Sequence, residues 1–97
     1  MRTAVVKKKP EEKFAVGFRY STADLAKDAI ISSVTVSITP TGDINDLAVV
    51  GSPAKDDYTV SALLEKGRDG YEYYVTFTTE TSVGQKFQDK IFVKVRA

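Results

Sequence analysis

Hydrophobic and polar residues alternate along most of this chain, and a period of two is the pattern of a β-strand with one buried face. The alternation predicts strands over residues 14–20, 30–39, 58–64, 71–79 and 87–96, with a weaker strand over 44–50. The residues predicted to point inward are Phe14, Val16, Phe18, Tyr20, Ile30, Val34, Val36, Ile38, Leu47, Val49, Tyr58, Val60, Ala62, Leu64, Tyr71, Tyr73, Val75, Phe77, Phe87, Ile91, Val93 and Val95.

Composition supports an all-β fold. Val, Ile, Thr, Tyr and Phe make up 37 of the 97 residues, and branched or aromatic side chains suit a pleated, half-buried surface. Turn signals recur at short intervals, at residues 40–43, 51–53, 67–70 and 84. Short strands bounded in this way are typical of a β-sandwich or a β-barrel.

Two segments depart from the alternation. Residues 21–29 begin with a loose capping-box spacing and predict a short helical connector. Residues 1–10 contain three consecutive lysines before Pro10 and predict a basic, flexible N-terminal arm, which leaves residues 11–97 as the folded domain.

One local pattern is typical of a particular kind of sandwich. Asp69, Tyr73 and Val75 stand at positions i, i+4 and i+6, a spacing that resembles the entry to strand F of immunoglobulin domains. Tyr73 would then be a tyrosine corner whose hydroxyl bonds to the backbone, and Val75 stands where the second cysteine of those domains lies. We therefore expect a single immunoglobulin-like antiparallel β-sandwich of about six or seven strands.

The inventory of side chains excludes most catalytic chemistry. The chain has no cysteine, histidine or tryptophan, so thiol and histidine-based nucleophilic catalysis and the usual zinc sites have no residues to form them. We predict that the protein is not an enzyme and has no cofactor or metal. Five aspartates in the predicted loops could offer oxygen ligands to calcium, but without an EF-hand they are better explained as turn formers: Asp43, Asp46, Asp56, Asp57 and Asp69.

Charge and hydropathy limit the possible partners. The formal net charge is +1, which argues against nucleic acid as the main partner, and no apolar run is longer than four residues, which argues against a membrane. The charge is unevenly distributed, with about +4 on residues 1–20 and about −3 on the remainder.

Three groups of residues are candidates for an interaction surface. Tyr74 and Phe92 fall on the outward face of two adjacent strands; the alternative is that residues 1–20 cover that face. Val83 lies at the tip of a predicted hairpin, and loops at one end of a sandwich commonly carry binding. The run Lys7–Lys9 could bind an acidic neighbour or remain a solvated tail.

With its strands placed, the chain resembles a family of small tailed-bacteriophage and prophage structural proteins described as fiber-tail adaptors, which carry one immunoglobulin-like β-sandwich. The resemblance covers most of residues 7–97 in the same order, although residues 44–57 match poorly and Tyr20 stands where tryptophan is expected. The matching segments are Lys8–Glu12, Phe18–Ser21, Asp28–Val36, Gly67–Thr76, Thr81–Gly84 and Ile91–Arg96.

The resemblance implies a non-enzymatic structural role in a virion tail. The implied partners are other virion or tail proteins, with a homo-oligomer possible on assembly. The implied location is the virion, and the host cytoplasm during assembly. The alternative is a carbohydrate-binding or adhesion-type sandwich in which Tyr58, Tyr71 and Tyr74 stack on sugar rings.

Overall fold

The computed structural model describes residues 2–21 and 24–97, and these residues form eight β-strands and no helix. The strand count exceeds the six or seven expected because β1 lies in the segment assigned to the arm and β5 is a two-residue strand that the alternation did not predict. The strands are β1 (Thr3–Lys8), β2 (Phe14–Arg19), β3 (Ile31–Thr39), β4 (Ala48–Val49), β5 (Ala54–Lys55), β6 (Thr59–Glu65), β7 (Glu72–Thr81) and β8 (Lys86–Val95).

The strands form two sheets that pack against each other. Sheet A has the order β1-β8-β7-β3, and sheet B has the order β2-β6-β4 with β5 also paired to β6. All pairs are antiparallel except β1 with β8, which run parallel. No helix in the described part of the chain is long and apolar enough to cross a bilayer.

The core lies between the sheets and consists of the inward residues of the alternating strands. Val60 and Leu64 of β6 face Tyr73, Val75 and Phe77 of β7, and all five are fully buried. This confirms the all-β, two-layer architecture predicted from the alternation, because a period of two places every second side chain on the same face of a strand.

Three residues predicted to be inward are exposed instead. A β-bulge between Ile31 and Ser33 shifts the alternation, so that Ile31 is buried in place of Ile30. Tyr58 and Tyr71 each lie one residue before a strand and are 40% exposed, because the alternation of a strand does not fix the direction of a residue outside it.

The predicted helical connector is wrong for the residues described. Thr22 and Ala23 lie outside the described residues, and residues 24–29 form turns rather than a helix. The N–H groups of Asp24 and Leu25 both bond to the carbonyl of Ser21, and Asp28 has a positive φ, so a regular helix does not continue.

Residues 3–8, expected in a flexible arm, instead form β1 at the edge of sheet A. Ala4 and Val6 pack against the core while Val5 and Lys7 point outward, an alternation that the lysine run disguised in the sequence. The folded unit therefore includes part of the segment assigned to the arm.

A buried polar cluster connects β1 to the core. The Asp89 carboxylate accepts hydrogen bonds from the Tyr20 hydroxyl and, at 2.8 Å, from the Arg2 main-chain N–H, and Thr79 Oγ1 lies 3.3 Å from the Tyr20 hydroxyl. The Arg2 guanidinium lies 4.6 Å from the centre of the Tyr20 ring and pairs with Asp24. The cluster thus joins both sheets and the N-terminal strand through groups whose polar atoms are satisfied.

Burial and the Asp89 carboxylate raise the pKa of Tyr20 to about 12 from 10.0. Between these two values the unfolded chain loses the Tyr20 proton while the folded protein keeps it, so the free energy of unfolding should fall as pH rises. Tyr20→Phe should lack this fall, while Tyr58→Phe, which removes an exposed hydroxyl, should retain it. Denaturant unfolding at a series of pH values measures the slope; equal slopes in wild type and Tyr20→Phe would contradict the assignment.

Gly17 of β2 has no room for a side chain. A Cβ at this position would lie 2.0 Å from the Val60 carbonyl oxygen, which is a main-chain atom and cannot rotate away. We expect Gly17→Ala to lower the free energy of unfolding by about 2 kcal/mol or more. Ala15→Ser, on the same face of β2, is the matched control and should change stability little. A Gly17→Ala protein with the wild-type denaturation midpoint would disprove the steric argument.

Candidate functional site

The outer face of sheet A carries a row of apolar side chains among polar ones. Val5, Phe92 and Tyr74 are neighbours in register on β1, β8 and β7. The Phe92 and Tyr74 rings meet edge to face with centroids 5.1 Å apart, which is a favourable aromatic geometry. Val5 is 62% exposed and Tyr74 44% exposed, so this aromatic row of Val5, Phe92 and Tyr74 lies at the surface.

The row combines residues from opposite ends of the chain, because β1 pairs with β8 and β8 pairs with β7. The alternation in β7 and β8 turns Tyr74 and Phe92 outward, and β1 then places Val5 beside Phe92. β1 therefore extends sheet A at its edge. The described residues 2–20 do not cover the face that carries Tyr74 and Phe92, as one of the two alternatives for residues 1–20 had it.

Lysines border the aromatic row. Lys90 and Lys94 lie two residues either side of Phe92 on the same face of β8, and Lys7 pairs in register with Lys94. Glu72 is the cross-strand partner of Lys94, with 3.9 Å between the ammonium and the carboxylate. An ion pair this exposed contributes little to stability, so an acidic group of a partner protein could replace Glu72 beside Lys94 at little cost.

The lysine run divides into two kinds of residue. Lys7 and Lys9 are exposed, whereas Lys8 is buried, because it alone of the three points inward from β1. Its ammonium donates to the main-chain carbonyls of Lys66 at 2.6 Å and Lys9 at 2.9 Å. Burial lowers the pKa of Lys8. Lys8 therefore points into the protein, and its ammonium is not presented at the surface where the sequence placed it.

Val83 lies at the tip of the β7–β8 hairpin and is 56% exposed. The tip is held in place by main-chain bonds within the turn and by a bond from the Ser82 N–H to the Ile30 carbonyl at 2.8 Å. The Gln85 side chain accepts a bond from the Ala26 N–H at 2.8 Å. The structure places Val83 away from the aromatic row, at the other end of the hairpin.

Tyr73 is fully buried and its hydroxyl makes two bonds at the opposite end of the sandwich. It accepts a hydrogen bond from the main-chain N–H of Arg68 at 3.0 Å and donates to the carboxylate of Asp46 at 2.8 Å. Hydrogen bonds from the Tyr73 hydroxyl, then from the Asp43 main-chain N–H and the Arg68 guanidinium, hold the pKa of Asp46 below its usual range. Asp69, the other residue of the predicted corner, instead bonds to the N–H of Ala97.

The other loop aspartates act locally. Asp56 accepts bonds from the N–H groups of Tyr58 and Thr59, which lower its pKa, and Asp43 accepts one from the N–H of Asn45. These are the contacts of turn-forming aspartates. Within residues 2–21 and 24–97, no three acidic side chains come together in a way that could hold a metal ion.

The tyrosines considered for sugar stacking lie in three different places. Tyr58 precedes β6 at one end of the sandwich, Tyr71 precedes β7 at the other end, and Tyr74 lies on the face of sheet A. The Arg68 guanidinium lies 4.1 Å from the centre of the Tyr71 ring and occupies one of its faces. The fold does not bring these rings together into one stacking platform.

Comparison with known protein families identifies the family of this chain. The model of the family described as podophage GP4 fiber-tail adaptor protein gp77 matches residues 8–94, and the chain belongs to this family. The match spans β2 to β7 and nearly all of β8, including Tyr74 and Phe92, but of β1 it includes only Lys8.

Similarity outside this family is limited to the fold. No curated protein matches the sequence. A solved structure of a 2,6-sialyltransferase from Vibrionaceae Photobacterium sp. JT-ISH-224, in a ternary complex with CMP and lactose, aligns with a TM-score of 0.56 at 14% identity. The alignment covers 100% of this chain and 18% of the sialyltransferase chain.

The Tyr73 hydroxyl should matter for stability. Tyr73→Phe removes the acceptor of the Arg68 main-chain N–H and one of the donors to the buried Asp46 carboxylate, and we expect it to lower the free energy of unfolding by about 1–3 kcal/mol. Tyr74→Phe is the matched control, since its neighbouring hydroxyl is exposed and should contribute little. Chemical denaturation compares the two, and equal stability of both variants would show that the corner bonds are unimportant.

Proposed function

We propose that this member of the fiber-tail adaptor family is a non-enzymatic structural protein of a tailed-phage virion that joins neighbouring tail and fiber subunits through protein–protein contacts. The family supports a structural tail role. The aromatic row supplies the contact surface. On this proposal the protein resides in the virion and passes through the host cytoplasm during assembly.

The observation that carries the proposal is the aromatic pair of an exposed Tyr74 and a half-buried Phe92 on a face that, apart from Val5, is polar. Tyr74 and Phe92 are surrounded by threonine and lysine on the same face of sheet A. Aromatic residues at the centre of a protein contact contribute most of its binding energy, while a polar rim excludes water. The bordering lysines suit a partner that places acidic residues around an apolar centre.

An adaptor needs a second contact, and the hairpin tip is placed to provide one. Val83 is separated from Phe92 by most of β8, and the stretch from Lys86 to Phe92 alone spans roughly 20 Å in an extended strand. One subunit could therefore be held at the sheet face and another at the tip. Lys7 lies on β1 and Lys9 directly follows β1, so both would add positive charge to the contact at the face of sheet A.

We also propose that the sandwich is immunoglobulin-like. The bond between the Tyr73 hydroxyl and the main chain of Arg68, five residues upstream, supports this assignment. Val75 is fully buried in the core two residues later, at the position where a disulfide-bearing relative would carry cysteine.

The proposal is tested by removing the aromatic row without unfolding the sheet. The double variant Tyr74→Ser, Phe92→Ser keeps polar residues on the outer face and should weaken binding to the purified fiber or tail protein of the same virion by about ten- to a hundred-fold. The matched control Thr76→Ser, Thr78→Ser changes two neighbours on the same face. Calorimetric titration gives the dissociation constants, and thermal unfolding checks that both variants fold.

Two results would overturn the proposal. Wild-type affinity in the Tyr74→Ser, Phe92→Ser variant would move the contact elsewhere on the protein. No binding of the wild-type protein to any tail or fiber protein of its virion would refute the adaptor function itself.

A further inference from the structure

β3 is an edge strand of sheet A with one side open. Its only ladder is with β7, and the bonds on its other side are confined to its first residue, where the N–H of Ile31 donates to Asp57 and its carbonyl accepts from Lys55. Beyond Ile31, the described residues offer no main-chain partner to this side of the strand.

The register shows which groups point to the open side. At the two ends of the β7–β8 ladder, the Thr81 N–H bonds to the carbonyl of Gln85, just before β8, and the Tyr71 carbonyl accepts from the Val95 N–H of β8. Because bonding alternates along an antiparallel strand, the odd-numbered residues of β7 bond to β8 and the even-numbered ones to β3. The register between β3 and β7 then leaves Val34, Val36 and Ile38 with their N–H and C=O groups at the open edge.

This edge lacks the devices that protect most edge strands. β3 is nine residues long and contains no charged residue, proline or glycine, whereas β1, the other edge of sheet A, carries Lys7 and Lys8. The inward side chains of Val34, Val36 and Ile38 also remain partly exposed, in contrast to the fully buried inward residues of β7. The short strands β4 and β5 leave this margin of the core incompletely covered.

We propose that β3 is a self-association edge through which two copies of this chain pair antiparallel about a two-fold axis at Val36. In this register Val34 lies opposite Ile38 of the second copy, and Thr35 lies opposite Ser37. Apolar residues therefore meet apolar residues on the inner face, and hydroxyls meet hydroxyls on the outer face. The three residues with open main-chain groups exchange roughly six hydrogen bonds.

A second copy fits this edge for reasons of charge and pattern. β3 contains no charged residue, so two copies of it bring no like charges together. In this register the apolar residues of one copy lie opposite the apolar residues of the other. The contact involves one strand from each copy, so it buries less than the roughly 1,200 Å² of a standard stable interface. The dimer should therefore form in a concentration-dependent manner. The inference concerns the edge of β3 and is independent of whether the aromatic row binds a tail protein.

Sedimentation of the full chain over a range of concentrations tests the proposal. We expect the wild type to move from monomer to dimer as concentration rises. Thr35→Lys with Ser37→Lys places lysines directly opposite each other across the dimer on the exposed face, and should raise the dimer dissociation constant about ten-fold or more. The charge-matched control Thr3→Lys with Gln88→Lys, on the outer face away from β3, should dimerise like the wild type.

A charge exchange makes the test specific to this pairing. Thr35→Glu with Ser37→Glu should also be monomeric alone, but mixed with the lysine variant it should form a heterodimer, because each lysine then faces a glutamate. The proposal is overturned if the wild type remains monomeric at every concentration, if the lysine variant dimerises as well as the control, or if the mixture does not associate. A strand of another tail protein would then be the remaining candidate for this edge.

Discussion

The antiparallel ladder between β7 and β8 is the interaction on which the rest of the structure depends. Each strand has ten residues, and nine residue pairs hold them together. The inward side chains of the two strands provide much of the core, and β1 and β3 add to their outer sides. The same pleat that buries Tyr73 and Val93 turns Tyr74 and Phe92 to the outer face, so the core and the proposed contact surface have one physical origin.

Three buried polar groups show how the ends of this sandwich are held. Asp89 is bonded by Tyr20 and Arg2, Asp46 by Tyr73 and Arg68, and Lys8 by main-chain carbonyls. Among the described residues, no buried side-chain polar atom lacks a hydrogen-bond partner. A buried polar group is costly when unpaired, so these contacts favour one arrangement of β1 and of the loops before β4 and β7 over its alternatives.

The surface offers two different modes of association. The aromatic row uses side chains, with an apolar centre and a basic border, and suits a partner of complementary shape and charge. The edge of β3 uses main-chain groups and carries no charged side chain, so it can pair with an identical uncharged strand. A structural protein that is repeated within an assembly could bind a different protein through the aromatic row and a second copy of itself through the edge of β3.

Much of the fold could be predicted from local pattern. The alternation placed the inward residues of β6, β7 and β8, and it placed Tyr74 and Phe92 on one exposed face. The exceptions are local as well: the bulge at Ile31 reversed the orientation expected for Ile30, and two tyrosines precede the strands they were assigned to. A period of two gives the face of each residue within a strand, but a single added residue reverses it.

Sequence by itself therefore determined the class of fold, the absence of histidine and thiol chemistry, and the face on which the aromatic pair lies. Tertiary structure alone decided that Val5 completes the row, that Lys8 is buried and that β3 has a free edge. These features depend on which strands become neighbours, and β1 pairs with a strand more than 80 residues away. Such pairing is set by the packing of the whole sandwich, which no local pattern of side chains records.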